Sequence, residues 1–282
     1  MLGKVVLWSA AALFPALAQS PAFEVVSIKP NPSQDFRGTD MQMLPGGRFT
    51  ATNYALRSLI SLAYNVPVNP NERISGVPEW ALQERYDIDA RAAEGAFPAG
   101  LSNREFTARM RLMVQSLLAD RFHAQVRKET KEMTVYAVTV ARDGPKMRNG
   151  EIAEEDCATV SERPGCHQFN GGQGRGLHAR SVDMDDLARY IENWTDHPVI
   201  NRTGLDGLFA MDTEGWTPMR LPPPPIGNVP NAAPRPNGDG DMSDPIRPTL
   251  FNVMQKLGLE LKQQKGPVDV YVIEHMEHPV PN

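Results

Sequence analysis

The 282 residues carry 34 acidic against 29 basic side chains, a formal net charge of −5. So mild a balance, with no concentrated basic face, excludes nucleic acid and anionic lipid as main partners. The length is enough to bury a sizeable core in one large or two small domains.

The N-terminus reads as a secretory signal over residues 1–18. Lys4 supplies the positive flank, residues 5–14 form an apolar run too short to span a bilayer, and Ala16-Leu17-Ala18 gives the small-x-small cleavage pattern before Gln19. Cleavage there removes one basic residue and leaves a periplasmic or extracellular protein. No later stretch approaches the ~20 apolar residues of a transmembrane helix.

A first α+β unit is predicted over residues 19–148. Its opening strand is 25–28, followed by a hairpin with arms 41–44 and 48–53 turned at Pro45-Gly46-Gly47, since Gly supplies positive φ. Asn53 stands where an N-cap belongs, and Leu56, Leu59, Ile60 and Ala63 share one helical face up to Pro67. Tyr86, Ile88 and Ala90 alternate with Asp87, Asp89 and Arg91, the pattern of a strand with one buried face. A second helix over 103–119 buries Phe106, Met110, Met113, Val114, Leu117 and Leu118, and strands 122–128 and 133–141 close the unit as a hairpin around the charged turn 129–132.

Residues 149–166 form a polar linker loop holding both cysteines, Cys157 and Cys166. An even count within one loop of an exported chain points to a disulfide. A Cys/Cys/His metal site with His167 is the competing reading, but no fourth ligand is evident and the spacing fits no zinc pattern.

A second unit over 167–282 repeats the plan of the first. A hairpin (167–170 and 177–180) leads to Ser181 as cap, a helix over 182–194, a strand at 208–211, a helix over 250–257 and a closing hairpin of 259–263 and 268–273. Phe49 matches Leu177, Ala51 Ala179, Asn53 Ser181, Leu56 Met184 and Leu59 Leu187, all at one constant offset. Such matching is what an internal duplication leaves behind. The fold class is therefore α+β: two related strand-helix-strand-helix-hairpin units with helices packed on a mixed or antiparallel sheet. The second unit also carries a Pro-rich insert, 218–248, predicted to be mobile or extended as polyproline II. Asn237, Asp239, Asp241 and Asp244 within it resemble a calcium loop, but Met242 and Pro248 stand where that loop needs Gly and Glu.

No catalytic residue, cofactor or metal site emerges. G-x-S-x-G, S-x-x-K and H-E-x-x-H are absent, and the Gly172 to Gly176 run lacks the spacing of a phosphate loop and falls at the hairpin turn. Asp183, Asp185 and Asp186 occupy the first turn of a helix, where its dipole favours carboxylates without any ion. His123 is placed in a strand without a partner, and His275 and His278 on opposite sides of the tail. Trp80, Trp194, Trp216 and His197 fall beside Pro and Gly in loops and are the candidate binding surface, although Trp there also plugs core edges.

Several segments carry a family resemblance: residues 23–30, 47–59, Ile74-Ser75-Gly76-Val77-Pro78-Glu79-Trp80, 117–122, 131–136, Thr203-Gly204-Leu205-Asp206-Gly207 and 265–270. They resemble a soil-associated bacterial secreted family of unknown function, over nearly the whole mature chain outside the insert. Related domains occur attached to membrane metallopeptidases of the penicillin-sensing kind, which implies an extracytoplasmic sensing or binding role. Each half is also similar, more weakly, to the short N-terminal domains of secretins and TonB-dependent receptors. The resulting expectation is a non-enzymatic binding or sensing protein whose partner is an envelope protein, peptide or other envelope component. The alternatives are a hydrolase with a site assembled from distant segments, or an envelope scaffold.

Overall fold

A computed structural model describes residues 20–33, 37–68, 72–157, 165–217, 219 and 247–279. The signal segment 1–18, the calcium-like run and nearly all of the 218–248 insert lie outside the described residues.

The first sheet takes its strands from β1 (Phe23–Asn31), β2 (Asp40–Leu44) and β3 (Arg48–Ala55). The chain continues through α1 (Leu56–Tyr64), the short β4 (Ile74–Ser75), α2 (Glu79–Gln83), β5 (Arg85–Ala92) and α3 (Asn103–Phe122). Strand order is β1-β5-β3-β2, all antiparallel. As the alternation predicts, Tyr86, Ile88 and Ala90 are buried while Asp87, Asp89 and Arg91 face outward. They pack with Phe49 and Ala51 of β3 beneath Leu56, Leu59 and Ile60 of α1 and the apolar stripe of α3.

A third sheet is assembled from β7 (Arg148–Asn149), β8 (Asn170–Gly172), β9 (Gly176–Val182) and β11 (Phe209–Asp212), in the order β7-β11-β9-β8. Here α4 (Met184–Ile191), β10 (Val199–Asn201) and α5 (Leu250–Lys256) take the places of α1, β4 and α3. The registers correspond pair by pair. Met43 opposite Phe49 matches Gly171 opposite Leu177, Ala51 opposite Ile88 matches Ala179 opposite Met211, and a bulge interrupts both ladders at the same step. The glycines read as a hairpin turn are one: Gly176 has φ +93 and lies so close to the Thr213 carbonyl that a side chain would collide with it.

The two expected closing hairpins are instead two unbroken strands, β6 (Gln125–Val140) and β12 (Leu259–His275), paired antiparallel along their whole length. Residues 129–132 contain no Gly, Pro or Asn to supply a turn, so the charged run stays extended and its side chains face water. The run and its flank gain cross-strand partners there, with Thr130 donating to Asp269 at 3.0 Å and the neighbouring Lys128 2.7 Å from the same carboxylate. The Gly266-Pro267 pair, the other apparent breaker, falls opposite Met133 and Glu132, between the two cores. With β4 and β10 added in parallel at its edges, the ribbon forms a mixed sheet of order β10-β6-β12-β4.

Each strand of the ribbon therefore serves both cores. Val126 and Ile273 lie in the first, Tyr136, Val138, Leu259 and Leu261 in the second. The expected units 19–148 and 167–282, separated by the loop 149–166, each lend residues to the other's core: Ile273 and Met276 to the first, Tyr136 and Val138 to the second. The α+β class itself holds.

Helix capping also differs from the reading. Asn53 sits in the bulge at φ 50 and uses its side chain on the Arg37 carbonyl and on Arg85, so α1 starts after Ala55 with no side-chain cap. Ser181 is engaged by the Ile152 backbone, and α4 is capped by Asp183 in a reciprocal box with Asp186. His123 ends α3 in a left-handed conformation instead of lying in a strand.

Candidate functional site

The cysteines are joined as a disulfide, Cys157 to Cys166, with Cα atoms 5.5 Å apart. That crosslink pins the segment carrying His167 and Phe169 beside α4. The His167 backbone N–H donates to the Ser181 carbonyl, and its ring, 6 % exposed as a side chain, stands between Asp186 at 2.6 Å from Nδ1 and Glu154 at 3.2 Å from Nε2.

A cleft opens between this segment, α3 and α4. On α3, Arg104, Thr107 and Arg111 lie three and four residues apart, on one helical face. From α4 and the turn that follows it come Asp186, Arg189, Tyr190 and Asn193, again at helical spacing. The cavity they line measures about 270 Å³. A second cavity of about 220 Å³, walled by Ser58, Ser61, Leu62, Val66 and Pro67 of α1 and its exit, shares Asn65, Arg111, Arg189 and Asn193 with the first.

Asp186 is the hub of the charged network. It accepts from Arg104 at 3.0 and 3.1 Å, from Arg189 at 2.8 Å and from the Asp183 backbone N–H at 3.2 Å. Burial pushes its pKa up, but the His167 hydrogen bond and the charges of Arg104, His167 and Arg189 outweigh burial and hold it below the usual carboxylate range. The hydrogen bond to Asp186 raises the His167 pKa against the opposing effect of burial. The Glu154 hydrogen bond adds to that rise, and the charge of Arg104 opposes it.

His167, Asp183 and Asp186 bring three potential metal ligands within 4.8 Å of one another. Arg104 already occupies that focus, donating to Asp183 at 2.6 Å and to Asp186, and standing 2.8 Å from the His167 ring. A metal ion would have to displace the guanidinium. In the neighbouring Glu154, Cys157 and His167 grouping the sulfur is committed to the disulfide.

Of the candidate surface residues, Trp194 and Trp216 meet edge to face at 5.6 Å, but Trp216 is 1 % exposed and belongs to the second core. Trp80 lies elsewhere, stacked on His278 at 3.9 Å, and His278 in turn bonds Glu84 at 3.0 Å. His197 packs on Tyr136 and faces Glu72 at 3.7 Å. The four therefore do not converge on one surface. Trp194 comes nearest the cleft, through Tyr190, which lines it.

A family model described as "Protein of unknown function (DUF3738)" matches residues 57–276. The chain belongs to that family. No curated protein and no solved structure matches it. The matched segment contains every cleft residue from Ser58 to Asn193 and both strands of the ribbon.

Of the cleft residues, the sequence singles out His167 and Asp186, as an incomplete metal set and a helix N-terminal acid, whereas Arg104, Arg111 and Arg189 lie on the polar sides of helices whose apolar stripes carry the stronger signal. The signal was present as a second, polar stripe on the same helices: Arg104, Thr107 and Arg111 on one, Asp186, Arg189 and Asn193 on the other.

Proposed function

We propose that this family member is an exported, non-enzymatic binding protein whose ligand occupies the cleft between α1, α3 and α4. The observation that carries the reading is an imbalance of charge: Arg104, Arg111 and Arg189 line one cleft, and Asp186, with Asp183 beside it, is already shared among two of them. His167 and Asp186 spend their hydrogen-bonding atoms on each other and on Glu154, Arg104 and Arg189, so the binding reading rests on the arginines rather than on that pair. The hydrolase reading draws its best support from that same pair, as a His–Asp couple beside a cavity.

Export draws support from the signal-like 1–18 segment. The disulfide, and the lack among the described residues of a helix able to cross a membrane, are compatible with it. The resemblance to soil-associated secreted proteins, to domains attached to membrane metallopeptidase sensors and to secretin and TonB-receptor modules favours an envelope peptide or protein as ligand. Matching strand order and register in the two outer sheets supports origin by internal duplication.

The test is affinity capture from envelope fractions with the mature chain, its partners identified by mass spectrometry. Thr107→Trp, which fills the cleft, should lose the partner, and deletion of 218–248 should keep it. Loss on deletion with retention in Thr107→Trp would favour the scaffold reading, and turnover of an envelope substrate abolished by His167→Gln would favour the hydrolase. N-terminal sequencing of the exported form should begin at Gln19.

A further inference from the structure

Arg111 differs from the other two arginines of the cleft. Arg104 and Arg189 each reach Asp186, whereas Arg111 makes no hydrogen bond or ion pair among the described residues, and its buried Nε–H has no acceptor. A partly buried guanidinium without a counter-charge is unfavourable, because desolvation penalises the charge and nothing opposite repays it. Burial, then repulsion from Arg189, pull its pKa down to about 10, and Asp186 counters this only in part. At neutral pH it stays charged.

A second unmet donor lies on the other wall. Ser61 is 2 % exposed, lines the second cavity, and its hydroxyl has no partner among the described residues. Buried hydroxyls are normally satisfied, so an unmet one in a cavity wall marks a place prepared for an acceptor. Both cavities are bounded by Arg111 and Arg189.

We propose that the cleft binds the carboxylate of an apolar acid or of a peptide ending in an apolar residue, held between Arg111 and Arg189 with Ser61 as an additional donor. This inference rests on the cleft being the binding site. The planar fork of Arg matches a carboxylate in two parallel hydrogen bonds. Charge selects a monoanion: the three guanidinium groups of Arg104, Arg111 and Arg189 face the two carboxylates of Asp183 and Asp186, leaving one positive charge to neutralise. A dianionic phosphate would overshoot that balance and meet Asp186 at close range. The tail of the ligand follows from the second cavity, where Leu62, Val66 and Pro67 give an apolar wall.

The experiment is calorimetric titration of the mature disulfide-bonded protein with four probes: butyrate, an acetylated tripeptide ending in leucine with a free C-terminus, the same tripeptide amidated, and inorganic phosphate. Butyrate and the free-acid peptide should bind, the peptide more tightly, and the arginine Nε–H resonance of Arg111 should shift in NMR spectra. Butyrate bound as tightly as the peptide would assign the site to a small acid. Arg111→Met should weaken binding about 10- to 100-fold, as expected for loss of a charged hydrogen-bond pair. Arg111→Lys keeps the charge without the fork and should recover only part of it; unchanged melting temperatures for both variants show that folding is intact. Equal binding of the amidated peptide, tighter binding of phosphate, or a silent Arg111 resonance would overturn the carboxylate assignment. If in that case Thr107→Trp still abolishes capture of the envelope partner, the cleft reading survives without it; if capture is also unaffected, both fall.

Discussion

The two cores share a topology and differ in what surrounds it. Phe49 and Leu177 are buried at equivalent rungs of ladders with the same register, and Leu56 and Leu59 of α1 are buried as Met184 and Leu187 of α4 are. Around them, the first core has a long α3 and an uncapped α1, whereas the second has a short α5, a boxed α4 and the disulfide segment. Similar apolar positions thus go with similar topology, while different polar residues on the helices line a cleft where the two cores meet. The two are also tied together by Arg73, preceding β4, which reaches the buried Glu192 beyond α4 at 3.2 Å and donates to the Asp269 carbonyl.

The strongest way to break the comparison is to separate the two halves of the chain. Residues 19–148 expressed alone should fail to fold, because Ile273 and Met276 of the first core come from the other half. Co-expressed with 149–282 the pair should assemble. A cooperative thermal transition from the isolated 19–148 chain would show that sharing the ribbon is dispensable.

Next in size is the tie itself. Arg73→Met strands the Glu192 carboxylate, whose pKa burial already raises, and should cost about 3–5 kcal/mol in urea unfolding. Adding Glu192→Gln should restore most of it, since a neutral amide is far cheaper to bury and still accepts from the Val199 N–H. No recovery in the double variant would mean that Arg73 acts through packing alone.

Equivalence of the cores is sharpened by Leu59→Ala and Leu187→Ala, each expected to lose about 2–5 kcal/mol. Chemical denaturation should place the two losses close together; a loss at only one position would show that the two cores pack differently. Reducing the disulfide, which lies on the side of the second core, should lower stability by about 2–3 kcal/mol for so short a loop.

The smallest effect is a pH dependence confined to the second copy. The folded state raises the His167 pKa, so its contribution is full below the unfolded value near 6.5 and fades as pH climbs through the folded value. Melting temperature should therefore decline across that interval in the native chain and be flatter in His167→Gln. An unchanged slope would detach His167 from the network.

Much of this architecture was legible in the chain. The alternation of Tyr86, Ile88 and Ala90, the helical stripe from Met110 to Leu118 and the matched hairpins each follow from periods of two and 3.6 residues, which are local properties. Cys157 and Cys166 were legible for a similar reason, being close in sequence. What tertiary structure alone decided is where long segments find partners. Residues 129–132 look like a turn until β12 offers a complete ladder opposite them, and Asn53 looks like a cap until Arg85 claims its side chain from 32 residues away. The cleft belongs to the same class: Ser61, Arg104, Arg111, His167, Asp186 and Arg189 come from separate segments of both halves. Polar stripes mark some of them on their own helices, but their meeting depends on helix packing, which sums many weak contacts over the whole molecule.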